Sequence, residues 1–326
     1  MSRLPITRER DGDETVYRNA GRRIRSAREI ARIEALAIPP AWTDVEIARS
    51  SSAKVLARGL DDAGRLQAIY SPAFRRRQEK KKFARILRFA ERLPHLRKQV
   101  DQDLRRRRLS EDKVVACIVK LIDQEFFRVG NTEYARKHSH YGATTLRRKH
   151  TQVSSGKVTF DFVGKSGKRH VRTIRDPQIV RIIDQLNDMP GHEIFRFFDD
   201  DGVIRDVDSK RVNAYVKKHM GKEFSAKDFR TWGGTLLATS ALLAAETDHG
   251  DADGDAAVVR EVVEQVAERL GNTPAVTRGS YIDPRVFAAF EDGVTIPEVR
   301  RTMGRMRPRK YLTVEEQCVL EVLRKR

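Results

Sequence analysis

Cysteine is almost missing from this chain: Cys117 and Cys318 are the only two in 326 residues. Two thiols, each inside a helical apolar pattern, cannot make a disulfide framework, and they read as buried thiols of a reducing cytoplasm. No apolar run is long enough to span a membrane. Residues 1–14 are polar and lack the apolar core of an export leader. No cysteine–histidine pair has zinc-site spacing; His138 and His140, two apart in a polar stretch, read as solvent-exposed histidines. The stretch Asp251-Ala252-Asp253-Gly254-Asp255 begins like a calcium loop, but Val262 stands where the last acidic ligand belongs, so an acidic surface loop is expected. Acidic residues are also in short supply. Lys and Arg total 65 against 46 Asp and Glu, a net charge of +19. Such an excess predicts attraction to a polyanion, nucleic acid above all. An anionic membrane surface ranks second, because nothing apolar is present to anchor the chain there.

At 326 residues the chain exceeds the size at which one hydrophobic core usually keeps growing. Its 39% hydrophobic and 34% charged residues suit a folded protein rather than a disordered one. An α+β organisation with two domains is expected. Residues 1–25 read as a loose basic arm. Ser26-Ala27-Arg28-Glu29 is a capping box that opens a short helix, stopped at Pro39-Pro40. Segments 45–48, 54–58 and 67–70 have strand character, which makes 1–78 a small β-rich domain. The charge run Arg75-Arg76-Arg77-Gln78-Glu79-Lys80-Lys81-Lys82 reads as a linker along a phosphate backbone. Residues 79–326 are expected to be a larger, mainly helical domain. The exception is a hairpin in which Val158, Phe160 and Phe162 alternate with polar residues up to a turn bearing Lys165. Arg105 to Arg108 form a second basic run.

The most informative stretch runs from Leu270 to Asp283. An amphipathic helix over 256–270 ends at Gly271; Thr273-Pro274 and Asp283-Pro284 are each an N-cap followed by a first-turn proline. Tyr281 therefore falls near a helix boundary, and Asn272 falls in the turn before it. Elsewhere Arg128 ends a helical pattern, Lys165 tips the hairpin, and Arg230 lies in Lys227-Asp228-Phe229-Arg230-Thr231-Trp232-Gly233. Breaking a phosphodiester with a tyrosine needs such a set. Two guanidinium forks can hold the charge that builds on the phosphate oxygens. A mobile ammonium can protonate the leaving oxygen. A further side chain can donate the remaining hydrogen bond.

In that order the motifs resemble the small type IB DNA topoisomerases of viruses and bacteria. The resemblance runs from Ile38-Pro39-Pro40-Ala41-Trp42, through Gly64-Arg65-Leu66-Gln67-Ala68-Ile69-Tyr70, Phe127-Arg128-Val129-Gly130-Asn131, Gly142-Ala143-Thr144-Thr145-Leu146, Phe162-Val163-Gly164-Lys165 and the Arg230 motif, to Gly271-Asn272-Thr273-Pro274 and Ser280-Tyr281. It implies Arg128, Lys165, Arg230, Asn272 and Tyr281 as the catalytic set, and DNA contacts from Arg65, Gln67, Tyr70, Tyr134 and Lys227. It also implies a monomer that clamps duplex DNA in the cytoplasm, at the nucleoid. The chain would relax supercoils through a 3′-phosphotyrosyl intermediate without ATP, nucleotide, metal or other cofactor. One position departs from the family, which often has histidine where Asn272 stands; asparagine can donate a hydrogen bond but cannot carry a proton. A tyrosine recombinase shares this fold and nucleophile. It usually has histidine at the place of Lys227, and a helical rather than β-rich N-terminal domain. A non-catalytic basic DNA-binding protein would explain the charge and leave the ordered set unexplained.

Overall fold

Strands, not a loose arm, open the chain. In the computed structural model, which describes residues 3–11, 14–245, 252–302 and 309–326, β1 (Ile6–Asp11), β2 (Glu14–Asn19) and β3 (Arg22–Arg23) form an antiparallel meander. Ile6 and Val16 are buried, whereas Glu9, Arg10 and Glu14 of the same strands are exposed. Ala20 and Gly21, both at positive φ, turn the chain between β2 and β3. After α1 (Ala27–Glu34), capped by Ser26, come β4 (Thr43–Ile47), β5 (Val55–Leu60) and β6 (Leu66–Tyr70). The six strands make one antiparallel sheet in the order β3-β2-β1-β4-β5-β6. Its small core is Ile6, Ile33, Val45, Ile47 and Ala57.

The chain divides into two units, Met1–Phe83 and Ala84–Arg326. The basic run 75–82 lies just before the boundary between the units. It is helical, within the first turns of the 33-residue α2 (Pro72–Leu104). The larger unit continues with α3 (Glu111–Glu125) and α4 (Thr132–His138). A three-stranded antiparallel sheet follows: β7 (Thr151–Ser154), β8 (Lys157–Val163) and β9 (Arg169–Ile174). Val158, Phe160 and Phe162 are buried on one face of β8, as their alternation requires. Next are α5 (Pro177–Asn187), the short pair β10 (Arg196–Phe198) and β11 (Ile204–Asp206), α6 (Ser209–Met220) and α7 (Ala226–Leu242). The remainder is helical: α8 (Ala252–Leu270), α9 (Pro274–Tyr281), α10 (Pro284–Glu291), α11 (Ile296–Thr302) and α12 (Val314–Lys325).

The architecture is thus α+β, with a β-rich first unit and a mainly helical second unit carrying a small sheet. Helix α8 begins earlier than expected. Asp253 and Asp255 are in its first turn, where carboxylates suit the positive end of the helix dipole, rather than in a loop; Asp251 lies outside the described residues. Helix α7 is buried on nearly every side, from Phe229, Arg230 and Trp232 to Thr239 and Leu242. Both cysteines are buried and unpaired. Among the described residues no group of three His, Cys, Asp or Glu side chains comes together, and no helix is long and apolar enough to cross a membrane.

Candidate active site

Helix α3 ends at Glu125, short of Arg128, because Phe126 turns left-handed (φ 56°) and its N–H closes on Ile122. Phe127 then packs edge-on against Phe160 and Phe162 of β8, at ring separations of 5.8 and 5.2 Å. The anchored residue fixes the next one. Arg128 Nη2 donates to the Gly271 carbonyl (3.0 Å) and to Asn272 Oδ1 (2.6 Å). Arg230 arrives from α7. Its Nη1 donates to the Phe126 carbonyl (2.5 Å), and its Nη2 to the Leu270 carbonyl (2.7 Å) and to Asn272 Oδ1 (3.4 Å). Leu270 and Gly271 stand at the C-terminus of α8, where carbonyls lack helical partners and the dipole is negative, so cations are welcome there. Gly271 takes φ +64°, and a Cβ on it would come within 2.5 Å of the His170 ring.

Asn272 is the meeting point, only 8% exposed. Arginine can donate but never accept, so the oxygen end of the amide must face the two guanidinium groups. Among the described residues its buried Nδ2 then has no hydrogen-bond partner, and neither has the buried Nε of Arg230. Orphaned buried donors are rare and call for an acceptor. Burial first, and the Arg128 charge second, pull Arg230 below the ordinary arginine range. Burial lowers Arg128 too, with Tyr281 opposing. Both remain cations at neutral pH.

Tyr281 is the last residue of α9, and the Arg230 guanidinium lies 5.3 Å from its ring centre. Helix α7 also seats its backbone. A Cβ on Gly234 would stand 2.5 Å from the Tyr281 carbonyl, and Thr235 Oγ1 accepts from the Asp283 N–H at 3.1 Å. One helix therefore carries Arg230 and, a turn later, the bed on which Tyr281 rests.

Lys165 stands apart from this cluster. It occupies the short 3₁₀ turn between β8 and β9, exposed and without a hydrogen bond or ion pair among the described residues. The lysine that reaches the cluster is Lys168, whose Nζ donates to the Asn272 carbonyl at 2.5 Å. His170, one strand position from each of its exposed neighbours, turns inward and stacks on Phe162. Burial, then the charges of Arg172, Arg128, Arg230 and Lys168, drive its imidazole down to about 4.

Residues 71–296, which contain the whole cluster, match the family described as eukaryotic DNA topoisomerase I, catalytic core; residues 16–61 match the bacterial DNA topoisomerase IB N-terminal domain. DNA topoisomerase 1B of Acanthamoeba polyphaga mimivirus is 33% identical over 285 residues, covering 85% of this chain and 84% of that protein. The chain belongs to the type IB DNA topoisomerases. DNA topoisomerase 1B of vaccinia virus (strain Copenhagen) is 20% identical over 81% of this chain and 83% of its own length. A solved XerH site-specific recombinase bound to a palindromic difH substrate overlaps loosely, with a TM-score of 0.37 and 14% identity over 66% of this chain and 51% of that one.

Residues expected to touch DNA are spread over both units of this topoisomerase. In the first, Asp61 engages Arg65 (2.6 Å) and Gln67 (2.8 Å), and the Arg65 bond leads in holding its carboxyl far below the usual range. Tyr70 ends the edge strand β6, 38% exposed. In the second unit Tyr134 is half-buried on α4 and Lys227 is exposed at the start of α7. Of the second basic run, Arg105 and Arg106 are paired with Asp101 and Asp103, at the opposite end of α3 from Arg128. Sequence reasoning missed Lys168, His170 and Gly234. The strand period that places Phe162 inward also places its cross-strand partner His170 inward, so that one could have been read. Lys168 and Gly234 face backbone carbonyls, which no sequence pattern displays.

Proposed function

We propose that this topoisomerase relaxes supercoiled duplex DNA with Tyr281 as nucleophile. The phenol oxygen attacks the phosphorus, the bond to the 5′-oxygen breaks, and a 3′-phosphotyrosine with a free 5′-hydroxyl results. After the downstream duplex has swivelled, the 5′-hydroxyl attacks back and releases Tyr281. The phosphotyrosine keeps the energy of the broken bond, so ATP is not required. In this reading Arg128 and Arg230 hold the non-bridging oxygens, the Asn272 amide donates to one of them, and Lys165 protonates the leaving oxygen. The observation that carries it is the pair of buried donors that find no acceptor among the described residues, Asn272 Nδ2 and Arg230 Nε, beside a tyrosine ring. A phosphate oxygen is the acceptor they lack. Two guanidinium groups and an amide supply the charge stabilisation that metal ions provide at other phosphoryl-transfer sites. Arg65, Gln67, Tyr70, Tyr134, Lys227 and the exposed cations of α2 contact the duplex, and one chain with one nucleophile suffices for a nick and a swivel.

The test is supercoiled plasmid in EDTA without ATP, with detergent added to trap covalent complexes. Relaxation and a protein–DNA adduct are expected from the parent. Tyr281→Phe should give neither and should still retard DNA. An adduct with that variant would move the nucleophile elsewhere, and joined products from two duplexes would favour a recombinase.

A further inference from the structure

Three consecutive carbonyls, those of Leu270, Gly271 and Asn272, each accept from a different cation: Arg230, Arg128 and Lys168. The cations come from three separate elements, namely α7, the stretch after α3, and the β8–β9 hairpin. Two are the arginines already described; the third has no place in the chemistry proposed above. Lys168 is also the foot of the hairpin tip, because its carbonyl accepts from the Gly164 N–H at 2.7 Å and closes the loop that carries Lys165. A second contact joins the same two segments. The His170 ring fills the space between Gly164 and Gly271, so tightly that a Cβ on either would come within 2.8 or 2.5 Å of it. The turn bearing Asn272 is therefore held on one side by two arginines and on the other by the hairpin.

We infer that Lys168 is a positioning residue for cleavage: its ammonium fixes the Asn272 main chain, and through it the direction of the free Asn272 amide. Its own Nζ is engaged with a carbonyl, which suits holding rather than proton transfer. The inference rests on the reading of Arg128, Arg230, Asn272 and Tyr281 as the cleavage site.

The experiment compares Lys168→Met, which keeps the stem and loses the donor, with Lys168→Arg, which keeps a cationic donor. Lys168 is on an exposed turn, so both variants should fold. Single-turnover cleavage by the full chain should slow about tenfold to a hundredfold in Lys168→Met, the size of one lost hydrogen bond to a charged group. DNA affinity should hardly change, and Lys168→Arg should recover most of the rate. Because the effect passes through Asn272, the double variant Lys168→Met/Asn272→Ala should be within about twofold of Asn272→Ala alone. A 5′-bridging sulfur, which leaves without a proton, should not rescue Lys168→Met. A parent-like rate, additive defects, or rescue by sulfur would each overturn the inference, the last by making Lys168 the proton donor. If the parent itself forms no covalent adduct, the cleavage site has been misread. If the parent cleaves and one of those three results appears, only the role of Lys168 falls.

Discussion

Arg97 and Arg230 are both largely buried in the second unit, yet they are held in opposite ways. Arg97 lies between two acids, Asp123 at 2.6 Å and Glu316 at 2.7 Å; burial alone would lower its ionisation, and the two carboxylates more than offset it. Glu316 also takes the Trp232 indole N–H at 3.3 Å, so this group knits α12 to α2, α3 and α7. Arg230 meets no carboxylate among the described residues. It spends its donors on carbonyl dipoles and an amide oxygen, and its charge remains uncancelled. A neutralised buried arginine is a structural tie. One solvated only by dipoles keeps its charge for an anion that arrives later, and its setting costs no reorganisation when that anion comes. Lys165 represents a third arrangement, exposed on its turn and without a partner among the described residues.

Truncating the two arginines should separate these roles. Arg230→Met should lower single-turnover cleavage by about 10³ to 10⁵, the range seen when an arginine that meets a phosphoryl transition state is removed. Its thermal stability should change far less. Arg97→Met should leave two carboxylates facing each other without a cation, at a cost of up to about 3 kcal/mol for a pair still partly in contact with water. Its folded fraction should cleave normally. Equal losses of rate in both variants would erase the distinction.

Lys165→Ala comes next, with a loss of about 10² to 10⁴ if it acts as general acid. Sulfur in the 5′-bridging position should restore that rate, because a thiolate needs no proton to leave. A defect of the same size on both substrates would place Lys165 with the arginines, as a phosphate-binding cation that swings in.

The segments that were legible are those whose signals are local. Gly271, Thr273-Pro274 and Asp283-Pro284 mark helix ends by φ preference and capping alone, and they located Asn272 and Tyr281 to within a residue of the observed boundaries. Alternation in β8 was equally plain. The first strands were hidden because β1 and β2 bury chiefly Ile6 and Val16, too little to show a period amid the charges. The 75–82 run belongs to a helix whose apolar stripe begins only at Phe83, so its charges did not show that it is helical. Strands β10 and β11 are three residues each and carry no readable period. At the site, the residue types were legible and their partners were not. Arg128, Arg230 and Lys168 are all placed by main-chain carbonyls, and a sequence does not show where a carbonyl points.

Asn272 gives the finest test of a site built on dipoles. Asn272→Ala removes both the oxygen that the arginines share and the free Nδ2, and should slow cleavage by about 10² to 10³ while DNA affinity holds. Asn272→His should retain much of the activity. A neutral imidazole accepts on one nitrogen and donates from the other, so it can accept a hydrogen bond from an arginine N–H where Oδ1 stands and donate its own N–H where Nδ2 stands. Between two guanidinium groups and largely out of water, that imidazole must titrate below its usual value of about 6.5. Above that pH it is neutral and the variant should cleave steadily. As pH falls through the depressed value the ring gains a proton, loses its acceptor and becomes one more cation facing Arg128 and Arg230, so the rate should decline. The parent, with nothing titratable at this position, should show no such step. Single-turnover rates from pH 8 down to pH 5 compare the two. Asparagine also commonly ends helices, and the Asn272 N–H does close on the Ala267 carbonyl at 2.9 Å. If Asn272→Ala, which keeps that main-chain bond, cleaves at the parent rate and loses only thermal stability, the amide does no more than tie the two arginines to the turn, and the donor that meets the phosphate must be sought among the arginines alone.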